Sequence, residues 1–562
     1  MIIKLYRILL IRSITTTFLS GEANRLGKFM SMVGVGIGFF NKYNWPSILF
    51  LQRRYVQNTI ASGRTIERSL FAVCLFFCIT PTNAFADLII RNVTVISPEL
   101  LEPQLKQTVS IRNDRIVSIS NTQSTDQDNT SESGADIVVD GTGRYLIPGL
   151  MDSHLHTSVI PGLGFEGSRQ IKTHPDMHSA YVEQFPKSLL YYGITQFVDP
   201  APVMAGLERV KSTPLHPDVF HCGPVIARGG YPMNELGPYA LMNQFPYLIE
   251  PGDSFAAAKV EQTPQSIVKN MQANGDICIK LFFENGFGPR NDLPLPSQAA
   301  FKKLIAAARE AGLIVVGHAN AFDMQQLAVD AGVDVLGHGV WNWGFHRSAS
   351  GLPEPIARHL DTVIDRKISY QPTLRVIDGI QALFDPNTLD DPHLEHVVAP
   401  TLLNWYRNPE AQWFKATLLE DEVELGGLPD NVIHRIMAEV ANKGERALNY
   451  LVEQGHPVLL ASDHPAHPGH ANHPGYSSYL ELTHLAKLGI PLDKILAGAT
   501  LNNAQAFGLS NDYGTVEVGK LANLLLLTVN PLETVEAYNQ IETIILHGQA
   551  IARESLSASV AK

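Results

Sequence analysis

Cysteine is scarce, with 4 in a chain of 562 residues, and that excludes a scaffold built on disulfides. Charge is sparse as well. Charged residues make up 17%, and 43 Lys and Arg stand against 55 Asp and Glu. The formal charge of −12 leaves no basic excess for phosphate backbones, so no nucleic-acid partner is expected. Internal repeats and long low-complexity runs are missing too. What the chain does have is 45% hydrophobic residues, enough for a large core, at a length that suits one barrel with an appended domain.

The first 86 residues read differently from the rest. Arg64 and Arg68 precede an apolar run from Leu70 to Ile79, and Pro81-Thr-Asn-Ala-Phe-Ala86 follows. A basic flank, a short apolar segment and a small-x-small end describe a secretory signal cleaved after Ala86. The run is too short to span a bilayer comfortably. An exported protein, periplasmic or secreted, is therefore expected, without a stable membrane partner. An uncleaved anchor is the alternative. Such signals normally sit at the extreme N-terminus, which leaves the translation of residues 1–60 open. Cys74 and Cys78 fall inside the signal, so Cys222 and Cys278 remain. These two lie on predicted neighbouring strands. One bridge is open to them, but the reading adopted is two buried free thiols.

Short β-like runs occupy 87–147 and recur at 515–562, and neither end has enough apolar strand for a core of its own. Residues 120–134 read as a solvated excursion. Between the ends, strands predicted at 150–156, 194–199, 218–227, 277–283, 313–317, 333–337, 368–371 and 458–461 alternate with helices. A largely helical insertion is expected over 376–440, ahead of a helix at 441–454. The fold class is thus α/β: a (β/α)8 TIM barrel over 148–514, with a discontinuous small β-sandwich domain from both termini.

Chemistry in such a barrel sits at the C-terminal ends of strands. His154 and His156 end the first, on one face of an alternating strand. Lys280 lies inside the apolar fourth, where a lone lysine is costly unless paired or modified. His318 ends the fifth strand, His338 the sixth and Asp463 the eighth. Six ligand-type side chains at one end of five strands do not fit independent core roles.

This set, with Asp152-x-His154-x-His156 and the closing Gly514-Thr-Val-Glu-Val-Gly-Lys-Leu-Ala-Asn-Leu stretch, resembles the amidohydrolase superfamily from about Asp87 to Ile551. It looks closest to the imidazolonepropionase- and prolidase-like members with a carboxylated lysine. The resemblance implies two divalent metal ions, one on His154, His156 and Asp463 and the other on His318 and His338. Lys280, as a carbamate made with carbon dioxide, would bridge them. It implies hydrolysis of an amide bond by a bridging hydroxide, with Asp463 as the proton carrier and a dipeptide (Xaa-Pro-like) or N-acyl amino acid as the small-molecule substrate. A homo-oligomer is expected. His and carboxylate donors suit zinc, with manganese or cobalt as alternatives.

Other polar residues carry weaker signals. Asp152 reads as a hydrogen-bond partner of a ligand histidine. Tyr231 is a candidate for the substrate's tetrahedral oxyanion, and Arg228, Arg290 and Arg375 are candidates for a substrate carboxylate. His464, His467, His470 and His473 crowd a Pro/Gly-spaced loop and read mainly as surface. Three rivals stand beside the amide hydrolase. A cyclic-amide, lactone or phosphotriester hydrolase fits the same metal set. A mononuclear deaminase lacks the strand-four lysine and carries Glu three residues after the strand-five His, where this chain has Ala321. A non-catalytic scaffold should have lost a ligand, and none is lost.

Overall fold

The computed structural model describes residues 87–559 apart from 123–136, 167, 228–229, 233–245, 247–261, 287–291 and 421–426. The expected signal and its cleavage point, most of the 120–134 excursion, Arg228 and Arg290 lie outside the described residues.

Alternation of apolar residues makes a mixed eight-stranded sheet from both ends of the described chain. Leu88–Val95 hydrogen-bonds to Gln104–Arg112, Ile137–Asp140 and Tyr145–Pro148. The C-terminal Leu524–Leu527 then pairs antiparallel with Tyr145–Pro148, Leu524 opposite Pro148. Leu88, Ile90, Val109, Ile111, Leu146, Leu524 and Leu526 share one buried cluster. Neither end of the chain supplies that cluster alone.

The chain passes straight from this sheet into the barrel. Pro148 ends one strand, and Gly149 donates its N–H to the Asn523 carbonyl at 2.8 Å. A Cβ on Gly149 would sit 2.0 Å from Thr195 Oγ1, so the Pro-Gly break marks an approach only glycine permits.

The barrel sheet holds seven parallel strands among the described residues: Leu150–Asp152, Ile194–Asp199, Asp218–Val225, Cys278–Phe282, Ile314–His318, Val335–Gly337 and Ser369–Gln371, in that order. Met151, Val198, Cys222, Cys278, Val316 and Val335 fill its interior. Amphipathic helices such as Gln298–Glu310 and Glu354–Asp365 bury Leu304, Ile305, Ile356 and Leu360 against its outside.

Three expectations change here. Residues 458–461 form no ladder strand, because side chains take the backbone partners: Asn503 Nδ2 donates to the Met151 and Leu460 carbonyls, and Gln371 Nε2 to that of Ser153. The segment and the residues after it keep scattered backbone bonds to the first strand: Ser153 N–H to Leu460 O at 3.0 Å, Asp463 N–H to His154 O at 2.7 Å and His156 N–H to His464 O at 2.9 Å, with a bridge between Leu155 and His464. Second, the helix expected at 441–454 starts earlier and runs unbroken over Asp430–Glu453. Third, Cys222 and Cys278 form a disulfide, not free thiols. Parallel register places them directly opposite, their Cα atoms 4.3 Å apart. No described helix is long and apolar enough to cross a membrane.

Candidate metal centre

The strand ends deliver their polar side chains to one buried point. Asp463 stands at its middle. Its Oδ1 lies 3.0 Å from His156 Nε2 and 3.5 Å from His154 Nε2, and its Oδ2 is 3.0 Å from His338 Nδ1. His338 Nε2 in turn meets His318 Nδ1 at 2.8 Å. Lys280 Nζ, 2% exposed, lies 3.4 Å from His154 Nε2. All six sequence-predicted ligands therefore converge. His154, His338 and Asp463 form a trio whose donor atoms all lie within 4.8 Å of one another.

Burial sets the charge states. Desolvation, with Lys280 nearby, pushes His154 well below the usual imidazole range, and desolvation brings His338 to about 3. His318 is lowered for the same first reason. Neutral imidazoles are what a cation needs as ligands. Burial alone would raise Asp463, but His154 and His338 and hydrogen bonds from His156 and His338 hold its carboxyl well below the ordinary value. Burial likewise opposes a charged His156, yet Asp199 and Asp463 outweigh it and raise that ring to about 9. The two carboxylates favour positive charge at this point. Lys280 falls to about 8 by desolvation, which increases its neutral amine fraction. Asp463 holds φ at +51° and the β-branched Thr373 at +45°, left-handed conformations that cost of order 1–3 kcal/mol each and cluster at functional sites.

The supporting shell differs from expectation. Asp152 does not reach a ligand ring. It accepts from the backbone N–H of His154 (3.1 Å) and Ser462 (3.2 Å), and from the hydroxyls of Ser462 and Ser478, tying the first strand to the Asp463 segment. The ring of His154 is oriented by Gln371 instead, whose Oε1 lies 2.9 Å from Nδ1. Gln371 Nε2 donates to Ser153 O at 2.8 Å, which fixes the amide, so His154 must donate from Nδ1 and turn a bare Nε2 to the centre. Gly337 makes room for this pair: a Cβ there would be 3.0 Å from Gln371 Oε1 and 3.4 Å from His154.

Two buried carboxylates also escaped the sequence reading. Asp199 ends the second strand, with Oδ1 3.5 Å from His156 Nδ1 and Oδ2 accepting from Thr157. Glu284 follows the fourth strand, with Oε2 3.3 Å from His318 Nε2. Both are polar residues at strand ends, the same signal that marks the candidate ligands.

Tyr231 stacks on His318 with ring centroids 4.7 Å apart, which places it at the centre. Arg375 is buried, its Nη2 donating to Ala471 O at 2.7 Å. His464, His467, His470 and His473 are not surface residues but are all buried. Their loop packs under neighbouring helices, with His467 stacked on Phe414 at 4.9 Å and Asn472 against Gly379. Burial lowers each of the four below the ordinary imidazole value.

Comparisons with known proteins agree with this architecture. A Xaa-Pro dipeptidase with bound methionine superposes with a TM-score of 0.56 at 19% identity, covering 83% of this chain and all of that one. Ochratoxinase of A. niger gives 0.58 at 18% identity, over 83% and 96%. Phenylurea hydrolase B gives 0.54 at 17%, over 83% and 97%. A 5'-deoxyadenosine deaminase of Methanothermobacter thermautotrophicus is 37% identical over 71 residues, which is 12% of this chain and only 15% of that protein. The Amidohydrolase family profile matches residues 145–551, well over half of the sequence and all six converging side chains, and the chain belongs to the amidohydrolase family.

Proposed function

We propose that this amidohydrolase cleaves an amide C–N bond with two divalent cations, zinc being the ion its His and carboxylate donors suit best. His154, His156 and Asp463 would hold one, and His318 and His338 the other. Lys280 would lie between them as a carbamate, formed when its neutral amine adds to carbon dioxide and releases a proton. The observation that carries this reading is the convergence of His154, His156, His338 and, through His338, His318 on the buried carboxylate of Asp463, with a desolvated lysine 3.4 Å from His154. When bound, the cations would polarise the scissile carbonyl and lower the pKa of a water.

The chain's own residues supply the rest. Asp463 would take the proton of the attacking water and deliver it to the leaving amine. Tyr231, stacked on His318, is the assigned donor to the developing oxyanion. Arg375 is assigned to a substrate carboxylate: its Nε is buried without a hydrogen-bond partner among the described residues. A dipeptide (Xaa-Pro-like) or N-acyl amino acid is the substrate this reading favours, and the likeness to a Xaa-Pro dipeptidase supports it. Deamination is disfavoured by Ala321, which offers no acid at the position where deaminases of the superfamily carry Glu. The disulfide inside the barrel supports an oxidising, exported location.

The test is turnover of dipeptides and N-acyl amino acids before and after chelation. Hydrolysis lost with the chelator and restored by a divalent cation is expected. Full activity in metal-free protein would refute the proposal.

A further inference from the structure

Glu284 is wholly buried, and no lysine or arginine pairs with it among the described residues. A carboxylate in such a place costs several kcal/mol unless positive charge lies close by. The hydrogen-bond partners of Glu284 among the described residues are polar but neutral. Oε1 accepts the Gly286 N–H at 3.0 Å, and Oε2 accepts from Asn320 Nδ2 at 3.1 Å and faces His318 Nε2 at 3.3 Å. Asn320 Nδ2 also lies 3.3 Å from His318 Nε2, but its shorter bond is to Glu284; a carboxylate can only accept, so the Glu284 contact sets the proton of the neutral His318 ring on Nε2. Its Nδ1 is then bare and points to His338 Nε2, 2.8 Å away. Asp199 stands in the same relation to His156 at the opposite end of the cluster, 3.5 Å from its Nδ1.

The buried carboxylates point the same way. Asp463, Asp199 and Glu284 face the ring nitrogens of the cluster, Asp152 lies buried behind His154, and a carbamate on Lys280 would add a further negative charge. Two divalent cations would offset most of that charge.

Resting on the binuclear reading above, we infer that Glu284 is the positioning residue of the second cation site: it fixes His318 to coordinate through Nδ1 and supplies that end's balancing charge, as Asp199 does for the first. Glu284 touches no reacting atom in this role. Its removal weakens one metal site and leaves the other.

The experiment loads purified full-length wild type, Glu284→Gln, Glu284→Asp and Asp199→Asn with zinc, then counts zinc per chain during titration with a chelator. Thermal melting of the metal-free proteins reports folding separately. Wild type should hold two zinc ions. Glu284→Gln should keep one at wild-type affinity and bind the second about 10–100-fold more weakly, the usual effect of removing a carboxylate behind a ligand histidine. Glu284→Asp should recover part of that loss. Asp199→Asn should weaken the other ion, so that the two variants differ in Co(II) absorption at half loading. A merely structural Glu284 would lower the melting temperature and leave both affinities as in wild type, and that result overturns the inference. Fewer than two ions in wild type would overturn the binuclear reading and this role together, whereas two ions in both wild type and Glu284→Gln at equal affinity would overturn only the role.

Discussion

Gln371→Leu removes three hydrogen bonds at nearly constant volume. The amide holds His154 Nδ1 at 2.9 Å, Ser153 O at 2.8 Å and Ser153 Oγ at 3.0 Å. Ser153 Oγ keeps its bond to Leu460 O, so the groups left bare are the His154 N–H and the Ser153 carbonyl. Each unsatisfied buried polar group costs about 1–3 kcal/mol, so a stability loss of roughly 2–6 kcal/mol is expected in urea unfolding. The second consequence concerns function. Without the acceptor, the ring of His154 is no longer bound to the tautomer that bares Nε2, and metal affinity should fall about 10–100-fold. Gln371→Glu keeps the acceptor and loses the donor, so it should recover metal affinity without recovering all of the stability. Chelator competition on the two variants measures this directly. Wild-type metal affinity in Gln371→Leu would refute the orienting role.

Two further outcomes follow from the packing. Replacing Cys222 and Cys278 together with alanine should cost ~4 kcal/mol, from the chain-entropy relation for a closed loop of 56 residues, and equal urea midpoints for the variant and the oxidised wild type would refute it. His484 sits between Asp378 (2.7 Å) and Glu445 (3.0 Å); burial would lower it, but these hydrogen bonds outweigh burial and raise it from 6.5 to about 10. A raised folded value means stability fully present below pH 6.5 and lost as the pH climbs through about 10. His484→Gln should therefore cost about 2 kcal/mol at pH 6 and little above pH 10, and a cost independent of pH would contradict the ion pair.

The candidate ligands are legible because they interrupt apolar strands with residues that burial alone does not explain. Lys280 inside Cys278–Phe282 is the plainest case. Asp199, Glu284 and Gln371 were equally placed at strand ends, yet a reading confined to familiar ligand types passed over them. The disulfide was not legible, because it depends on the register that sets Cys222 opposite Cys278, a tertiary fact. Burial of the His464–His473 loop arises from helices distant in sequence, and Pro/Gly spacing carries no periodicity to signal it. Residues 458–461 are apolar as a strand should be. What removes the ladder is competition from the Asn503 and Gln371 side chains, which a hydrophobic pattern does not contain. Both ends of the chain looked too poor in apolar strand to fold alone, and they meet in one sheet at Tyr145–Pro148 and Leu524–Leu527.

The central claim is that Lys280 joins two cations in a hydrolytic centre. Metal content and turnover of Lys280→Ala, measured on one preparation with a confirmed amide substrate, test it most directly. The side chain is buried at the cluster and not part of the apolar layers, so the variant should fold. The account predicts fewer than two tightly bound ions per chain and loss of turnover, partly restored by short carboxylates or bicarbonate that fill the vacated space. Two tightly held ions with near-normal turnover in Lys280→Ala would contradict it.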